Sequence, residues 1–291
     1  MESLPKLLIT GLARNVASTL PREVERLHGV TSSFYGEVDF HVVESDSTDN
    51  TRKVLEGIAQ VTPNLSFQTL GDLESEIPDR IARLRFCRNK YVEFYRKALK
   101  LYNHVMVVDF DIQNRKFDKR SFQCAVNERL HWDALFANQT GRYFDIFALR
   151  EKNWCPRDCM EEVYELEKSG MGREIAKEIA IWKRMVSIPI SQNPREVDSA
   201  FGGMAIYKSW IFDSFDYSIH STPIGSHESE HVALHYKAKS AGAHLFIHPG
   251  LNNFAWNPHN LASFKWLRRI DQLSDRPIWG GLRRKIRSLL G

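Results

Sequence analysis

Short apolar runs, each separated from the next by a stretch of helical periodicity, constrain this chain more than any other feature. The runs are residues 6–10, 38–43, 65–70 and 105–108, and the stretches between them are 16–27, 52–60 and 81–100. Buried strands alternating with crossover helices predict an α/β fold, a parallel doubly wound sheet with ligands at the carboxyl ends of its strands. Pro21 blurs the start of the first helix, and Ser47 or Asp49 is the natural N-cap of the second.

The later part of the chain is less regular. Residues 118–130 read as a helix, 132–136 as a short strand, 143–150 as strand and loop, and 156–185 as a charged, largely helical surface excursion. Residues 200–207 form a strand broken by Gly202 and Gly203, residues 227–241 a helix, and 244–249 the last strand. With no internal repeat or low-complexity linker, one continuous domain over 1–255 is expected, followed by a basic amphipathic extension over 256–291.

The fourth apolar run ends in Asp109-Phe110-Asp111. Two carboxylates one residue apart point the same way on a pleated backbone. That geometry suits a hard divalent cation, Mg²⁺ or Mn²⁺, which in turn neutralises a diphosphate. No GxGxxG follows the first strand and no GxxxxGK[ST] loop occurs, so dinucleotide and P-loop sites are disfavoured.

Composition closes off other classes. The 291 residues are 43% hydrophobic and 26% charged, ordinary for a globular protein. No apolar stretch approaches the roughly 20 residues needed to span a bilayer, and no signal-peptide pattern opens the chain, so a cytoplasmic protein is expected. Cys87, Cys124, Cys155 and Cys159 are too few and scattered for a disulfide scaffold. Cys155 and Cys159 lack a second pair at zinc spacing. The net charge of +4 is concentrated after residue 264, where eight Lys and Arg face Asp271 and Asp275. Trp266, Ile270, Leu273, Trp279 and Leu282 interleave with them. Such a segment suits the surface of an anionic membrane, at the inner face, or equally a helix packed on the domain. No basic face interleaved with aromatics runs across the fold, so nucleic acid is not an expected partner.

Residues 42–51, Val-Val-Glu-Ser-Asp-Ser-Thr-Asp-Asn-Thr, look like the nucleotide-binding segment of GT-A fold glycosyltransferases, with an Asp-x-Asp following about 60 residues later. Residues 85–90, 143–150, 201–207 and Glu230-His231 resemble the capsule-associated, cryptococcal-type mannosyltransferases and their bacterial relatives. The resemblance covers roughly residues 5–255. It implies a GT-A-type, Rossmann-like mixed sheet flanked by helices. It also implies a metal-dependent enzyme moving a hexose from a GDP- or UDP-sugar, mannose from GDP-mannose first among them, to a saccharide or lipid-linked glycan.

On that resemblance Asp111 is the principal metal ligand, and Asp109 touches the ribose or the metal. Glu44 and Asp46 read base or ribose, and Arg14 and Arg88 meet phosphate or base. Asp145 lines the donor sugar, matched with Arg150 unless the two form a buried structural pair. Gly202 and Gly203 admit the backbone close to the donor sugar or acceptor. Glu230 is the general base, with Glu228 its competitor, and His248 joins the metal ahead of His259. For Arg83, Arg85 and Arg88 the alternative is a solvated helix face. A sugar-nucleotide nucleotidyltransferase is disfavoured because residues 11–15 carry a single glycine. A haloacid-type phosphatase would place its Asp-x-Asp after the first strand. A non-catalytic, membrane-associated carbohydrate-binding scaffold remains the third alternative.

Overall fold

The computed structural model describes residues 4–98, 101–112 and 114–254. The basic extension and His259 lie outside the described residues. The first half is the expected alternation: β1 (Lys6–Ala13), α1 (Leu20–Thr31), β2 (Glu37–Glu44), α2 (Thr51–Val61), β3 (Leu65–Thr69), α3 (Arg80–Lys97) and β4 (His104–Val108). Strand β2 pairs in parallel with β1 and β3, and β1 pairs in parallel with β4.

The second half adds α4 (Lys119–Val126), β5 (Ala134–Asn138), α5 (Cys159–Lys168), α6 (Arg173–Ala180), β6 (Arg195–Glu196), β7 (Met204–Lys208), α7 (Trp210–Ser214), α8 (Glu230–Ser240) and β8 (Leu245–Asn252). The eight strands form one sheet in the order β3-β2-β1-β4-β7-β5-β8-β6. Strand β7 runs antiparallel between β4 and β5, and β6 is antiparallel to β8, while β5 and β8 are parallel. The sheet is therefore the α/β mixed sheet flanked by helices that the resemblance implies, Rossmann-like over β3-β2-β1-β4, and only the parallel sheet read from strand–helix alternation needs correcting, at β6 and β7. Between β5 and β7 the chain makes the excursion that carries α5, α6 and β6, and it re-enters the sheet at Gly203 between β4 and β5, running against both.

Residues 143–150 make turns and isolated bridges instead of a strand. The excursion over 156–185 has a small core of its own, Val163, Ala176 and Ala180, yet Cys159 and Met185 belong to the main core. Asn50, neither Ser47 nor Asp49, is the N-cap residue of α2. Asp49 nevertheless supplies the carboxylate, accepting from Thr51 N–H at 2.9 Å and from Ala17 N–H at 3.1 Å.

Side-chain alternation along the strands builds two core layers. Leu7, Ile9, Met106, Val108 and Phe110 face α1 and α4. Leu8, Val105 and Val107 face α3, where Cys87, Tyr91 and Tyr95 are buried, and α8, which contributes Leu234 and Ala238. Phe110 is fully buried in the first layer, so the carboxylate before it turns to the α3 and α8 side. That alternation brings an aspartate, an arginine and a glutamate from three distant elements to one place.

Candidate active site

The strand order reverses between β1 and β4, because β1 is followed by its neighbour on one side and later by β4 on the other. Ligand crevices of α/β sheets open at such a switch point. The loops after β1 and β2 are locked together there. Asn15, with φ 56°, accepts on Oδ1 from the backbone N–H of Thr48 at 2.8 Å and of Asp49 at 3.3 Å. Asp46 has φ 56° as well, a left-handed position that Asn and Asp tolerate better than most residues. Its Oδ1 accepts from Glu74 N–H at 2.8 Å, and its Oδ2 lies 3.6 Å from Arg83 Nε. Arg14, half-exposed, donates to Glu74 Oε2 at 2.7 Å and to the Asp46 carbonyl at 3.2 Å.

The second part of the site is organised by Arg88 on α3. Its guanidinium is 4% exposed. Nε donates to Glu230 Oε1 at 2.6 Å, and Nη2 donates to Asp109 Oδ1 at 3.3 Å. The Arg88 plane lies over Phe201 at 5.2 Å and Tyr217 at 5.8 Å, a cation–π enclosure. Nη1 is buried without a hydrogen-bond partner. An orphaned donor on a buried cation is costly unless another group completes it.

Asp109 sits where negative charge accumulates. Burial pushes its carboxyl up to about 7, Arg88 opposes that, and Asp111, Asp145 and Glu230 add to it. Its backbone N–H donates to the Gly203 carbonyl at 2.9 Å. Gly202 and Gly203 have φ 68° and 82°. A Cβ on Gly202 would meet the Ala137 carbonyl oxygen at 2.6 Å, and one on Gly203 would collide with Ile112 Cδ1. Gly202 N–H donates to Asp145 Oδ2 at 3.0 Å. The glycine pair thus braces both Asp109 and Asp145, and the close approach it permits is to the protein's own chain.

Asp109, Asp145, Arg88, Glu230, Gly202 and Gly203 are thereby linked, with Asp111 exposed one residue beyond. Arg14 and Asp46 form the neighbouring cluster at the β2 end. Glu44, buried at the end of β2, accepts from Ser47 N–H at 3.2 Å and shapes that loop. Several expectations are corrected. The alternative of a solvated helix face falls for Arg83 and Arg88, both buried because α3 turns them towards the strand ends. Asp46 is 4% exposed and holds Glu74 and Arg83, so it braces the loop. Arg150 is held by Asp158 at 2.8 Å and Glu228 at 3.1 Å, while Asp145 accepts from Gly202 and Ala148. The two are not a matched pair. Glu228 is likewise committed to Arg150.

Glu230 is 3% exposed and bound to Arg88, so it is the anchor of that guanidinium instead of a base open to an acceptor. His231 beside it is stacked on Phe201 at 3.9 Å, and burial holds it well below its ordinary value, hence neutral. His248 points elsewhere: its Nε2 is 3.3 Å from Glu128 Oε2, beyond the end of α4. Strand alternation puts it on that face of β8. Sequence reasoning missed Glu74, Phe201 as an aromatic wall and Tyr217. Only Phe201 had a local signal, its place beside the glycine pair.

Among the described residues no group of three or more His, Cys, Asp and Glu could hold a metal ion, so Asp109, Asp111 and His248 are not an assembled cage. The donor set fits a different arrangement. Mg²⁺ and Mn²⁺ are commonly held by one or two carboxylates, with water and ligand phosphates filling the rest of the shell. Asp109, raised first by burial and further by Asp111, Asp145 and Glu230, and countered in the protein by Arg88, is where such a cation would relieve charge.

No protein-family model matches the sequence, and no curated protein matches it. Among solved structures the chain is similar to the mannosyltransferase PcManGT of Pyrobaculum calidifontis, in complex with GDP-Man and Mn²⁺. That match has 14% identity and a TM-score of 0.49 over 92% of this chain and 62% of that one. It is similar to S. aureus TarS 1–349 in complex with UDP-GlcNAc, at 13% identity and a TM-score of 0.49 over 89% and 61%. The M. tuberculosis glucosyl-3-phosphoglycerate synthase matches at 12% identity and a TM-score of 0.42, over 88% and 73%. The chain spans about three fifths of the length of the first two. Likeness at this level assigns no activity to the chain. Among the described residues no helix is long and apolar enough to cross a membrane.

Proposed function

We propose that the chain is a metal-dependent GT-A-type glycosyltransferase using a nucleotide-sugar donor. One observation carries the reading: Asp109-Phe110-Asp111 closes a parallel strand at the switch point, against a buried Arg88 whose Nη1 is unpartnered. A paired carboxylate and an unsatisfied guanidinium side by side are what a metal–diphosphate ligand requires.

In this reading Asp111 and Asp109 hold Mn²⁺ or Mg²⁺, which supplies Lewis-acid stabilisation of the departing nucleoside diphosphate. Arg88 donates through Nη1 to a phosphate oxygen, already aimed by Glu230. Preorganised donors of this sort stabilise developing charge without reorganisation. The locked loops carrying Arg14, Glu44 and Asp46 form the wall for base and ribose. Asp145, fixed by Gly202 N–H, faces the sugar. The motif resemblance makes mannose from GDP-mannose the first donor to try, with a saccharide or lipid-linked glycan as acceptor. The basic extension over 256–291 would bring the domain to an anionic membrane surface.

Calorimetric titration of GDP, UDP and CMP, with and without Mn²⁺, against wild type and Asp111→Ala tests the proposal. Mn²⁺-dependent binding of one nucleotide, lost in the variant, supports it and names the donor class. If no nucleotide binds in a metal-dependent way, the transferase reading falls and a carbohydrate-binding scaffold takes its place.

A further inference from the structure

Burial separates one cysteine from the other three. Cys87, Cys155 and Cys159 are buried, and Cys124 on α4 is exposed. Glu128 follows it by about one helical turn, just past the end of α4. Helix α4 packs on β8, where Ser121 Oγ donates to the Gly250 carbonyl at 3.0 Å. On β8, His248 and Gly250 are alternate residues and share a face of the strand.

The glycine leaves a gap between helix and strand. A Cβ at Gly250 would lie 3.1 Å from Cys124 Cβ and 3.4 Å from His248 Nδ1. The thiol-bearing carbon and that ring nitrogen thus border one small space. His248 is 6% exposed, and its Nδ1 is buried without a hydrogen-bond partner.

The state of the ring follows from its other nitrogen. Nε2 lies 3.3 Å from Glu128 Oε2. Burial raises the Glu128 carboxyl, but hydrogen bonds from Leu130 N–H and His248 outweigh it, so Glu128 is an ionised acceptor at neutral pH. Nε2 must then carry the ring hydrogen. Burial lowers His248 and Glu128 only partly offsets it, so the ring is neutral and Nδ1 presents a bare lone pair. A tie between α4 and β8 needs only the Nε2 contact. It does not account for an enclosed, unused acceptor facing a gap beside an exposed thiol.

We infer that Cys124 is a thiol-modification site for low-molecular-weight disulfides, with His248 as its base and Glu128 holding the imidazole. Rotation about χ1 brings Sγ to the Gly250 gap, and the attacking species is the thiolate. His248 Nδ1 takes the Cys124 proton as Sγ attacks one sulfur of the disulfide. That S–S bond breaks, a new one joins Cys124 to one half, and the other half leaves as a thiolate that takes the proton back from His248. Cys124 is oxidised and the departing half is reduced, so no further oxidant enters. The site goes beyond the transferase reading and does not depend on it.

The test exposes the folded full chain to oxidised glutathione and follows adduct formation by intact-mass spectrometry. Wild type should gain one glutathione, absent in Cys124→Ser, at a rate about tenfold above that of a peptide of residues 119–128. His248→Gln removes the base and should lose that advantage. Gly250→Ala keeps the thiol, imidazole and carboxylate, fills the space between them, and should lose it too. Circular dichroism checks the fold of each variant, and Gly250→Ala decides the matter if His248→Gln does not fold. Three results overturn the proposal: wild type no faster than the peptide, an adduct that persists in Cys124→Ser, or a folded variant of either kind as fast as wild type.

Discussion

Arg88 Nε and Glu230 Oε1 stand 2.6 Å apart with both side chains almost wholly enclosed. Removing one partner of such a pair leaves an uncompensated charge, at a cost of about 3–5 kcal/mol. Glu230→Ala should therefore lower stability by that order in urea denaturation, and Glu230→Gln, which still accepts a hydrogen bond, by less. An alanine variant as stable as wild type would contradict the buried pair.

The same contact separates two roles for Glu230. A general base would affect turnover and leave ligand affinity alone. A residue that aims Arg88 should weaken metal-dependent nucleotide binding too. Glu230→Gln is expected to do both, read by calorimetry alongside kcat. Unchanged nucleotide affinity with lost turnover would return Glu230 to the base.

Asp109 makes the metal-free protein sensitive to rising pH. Its carboxyl is held near 7 in the fold against an ordinary 3.8. Between these values the unfolded chain releases a proton that the folded chain keeps, so Asp109 lowers stability as pH climbs from about 4 to about 7 and changes nothing further above it. Asp109→Asn should remove that contribution, visible as a steeper net gain of stability over this window in chelator. An unaltered profile would show that Asp109 titrates normally.

Buried histidines work in the other direction. Burial lowers His41 and His104 to about 4 and His235 to about 3. The unfolded chain protonates them near 6.5 while the fold excludes the proton, so stability is lost as pH falls from about 6.5 towards these values. His235 is held by Ser199 at 2.8 Å and Tyr207 at 2.9 Å. His235→Gln should flatten the acid limb of the stability curve even though it destabilises at neutral pH. Melting temperature against pH for both proteins checks this.

The two glycines of the brace should differ. Each φ is left-handed, which alone costs an alanine roughly 1–2 kcal/mol. At Gly202 the obstruction is the Ala137 carbonyl, which cannot move away, whereas at Gly203 it is the flexible tip of Ile112. Gly202→Ala should be the more destabilising in chemical denaturation. The reverse order would mean that β5 yields more readily than the Ile112 side chain.

The parallel half of the fold and the place of Asp109 were legible because local pattern encodes them: short continuous apolar runs, helical periodicity between them, an acidic pair after a strand. The direction of β7 was not, since nothing in residues 204–208 states which strand they pair with. Arg88 was singled out by the resemblance alone, since local pattern set it among several basic residues of α3. Its burial depends on Glu230 and Tyr217, far along the chain. His248 illustrates the converse. Its place on the last strand was foreseeable, but which face it occupies follows from register, and register puts it against Glu128.

Strand β7 has a further consequence. Gly203 accepts from Asp109 only once β7 has entered between β4 and β5, strands that lie about 100 and about 70 residues before it in the chain. Pairings of such long range form slowly, since loop closure must precede their reward. The acidic cluster is thus completed by insertion of a central strand, not by the early parallel units. A ligand gripping that cluster acts as a clasp on the finished sheet: it should slow unfolding far more than it speeds folding.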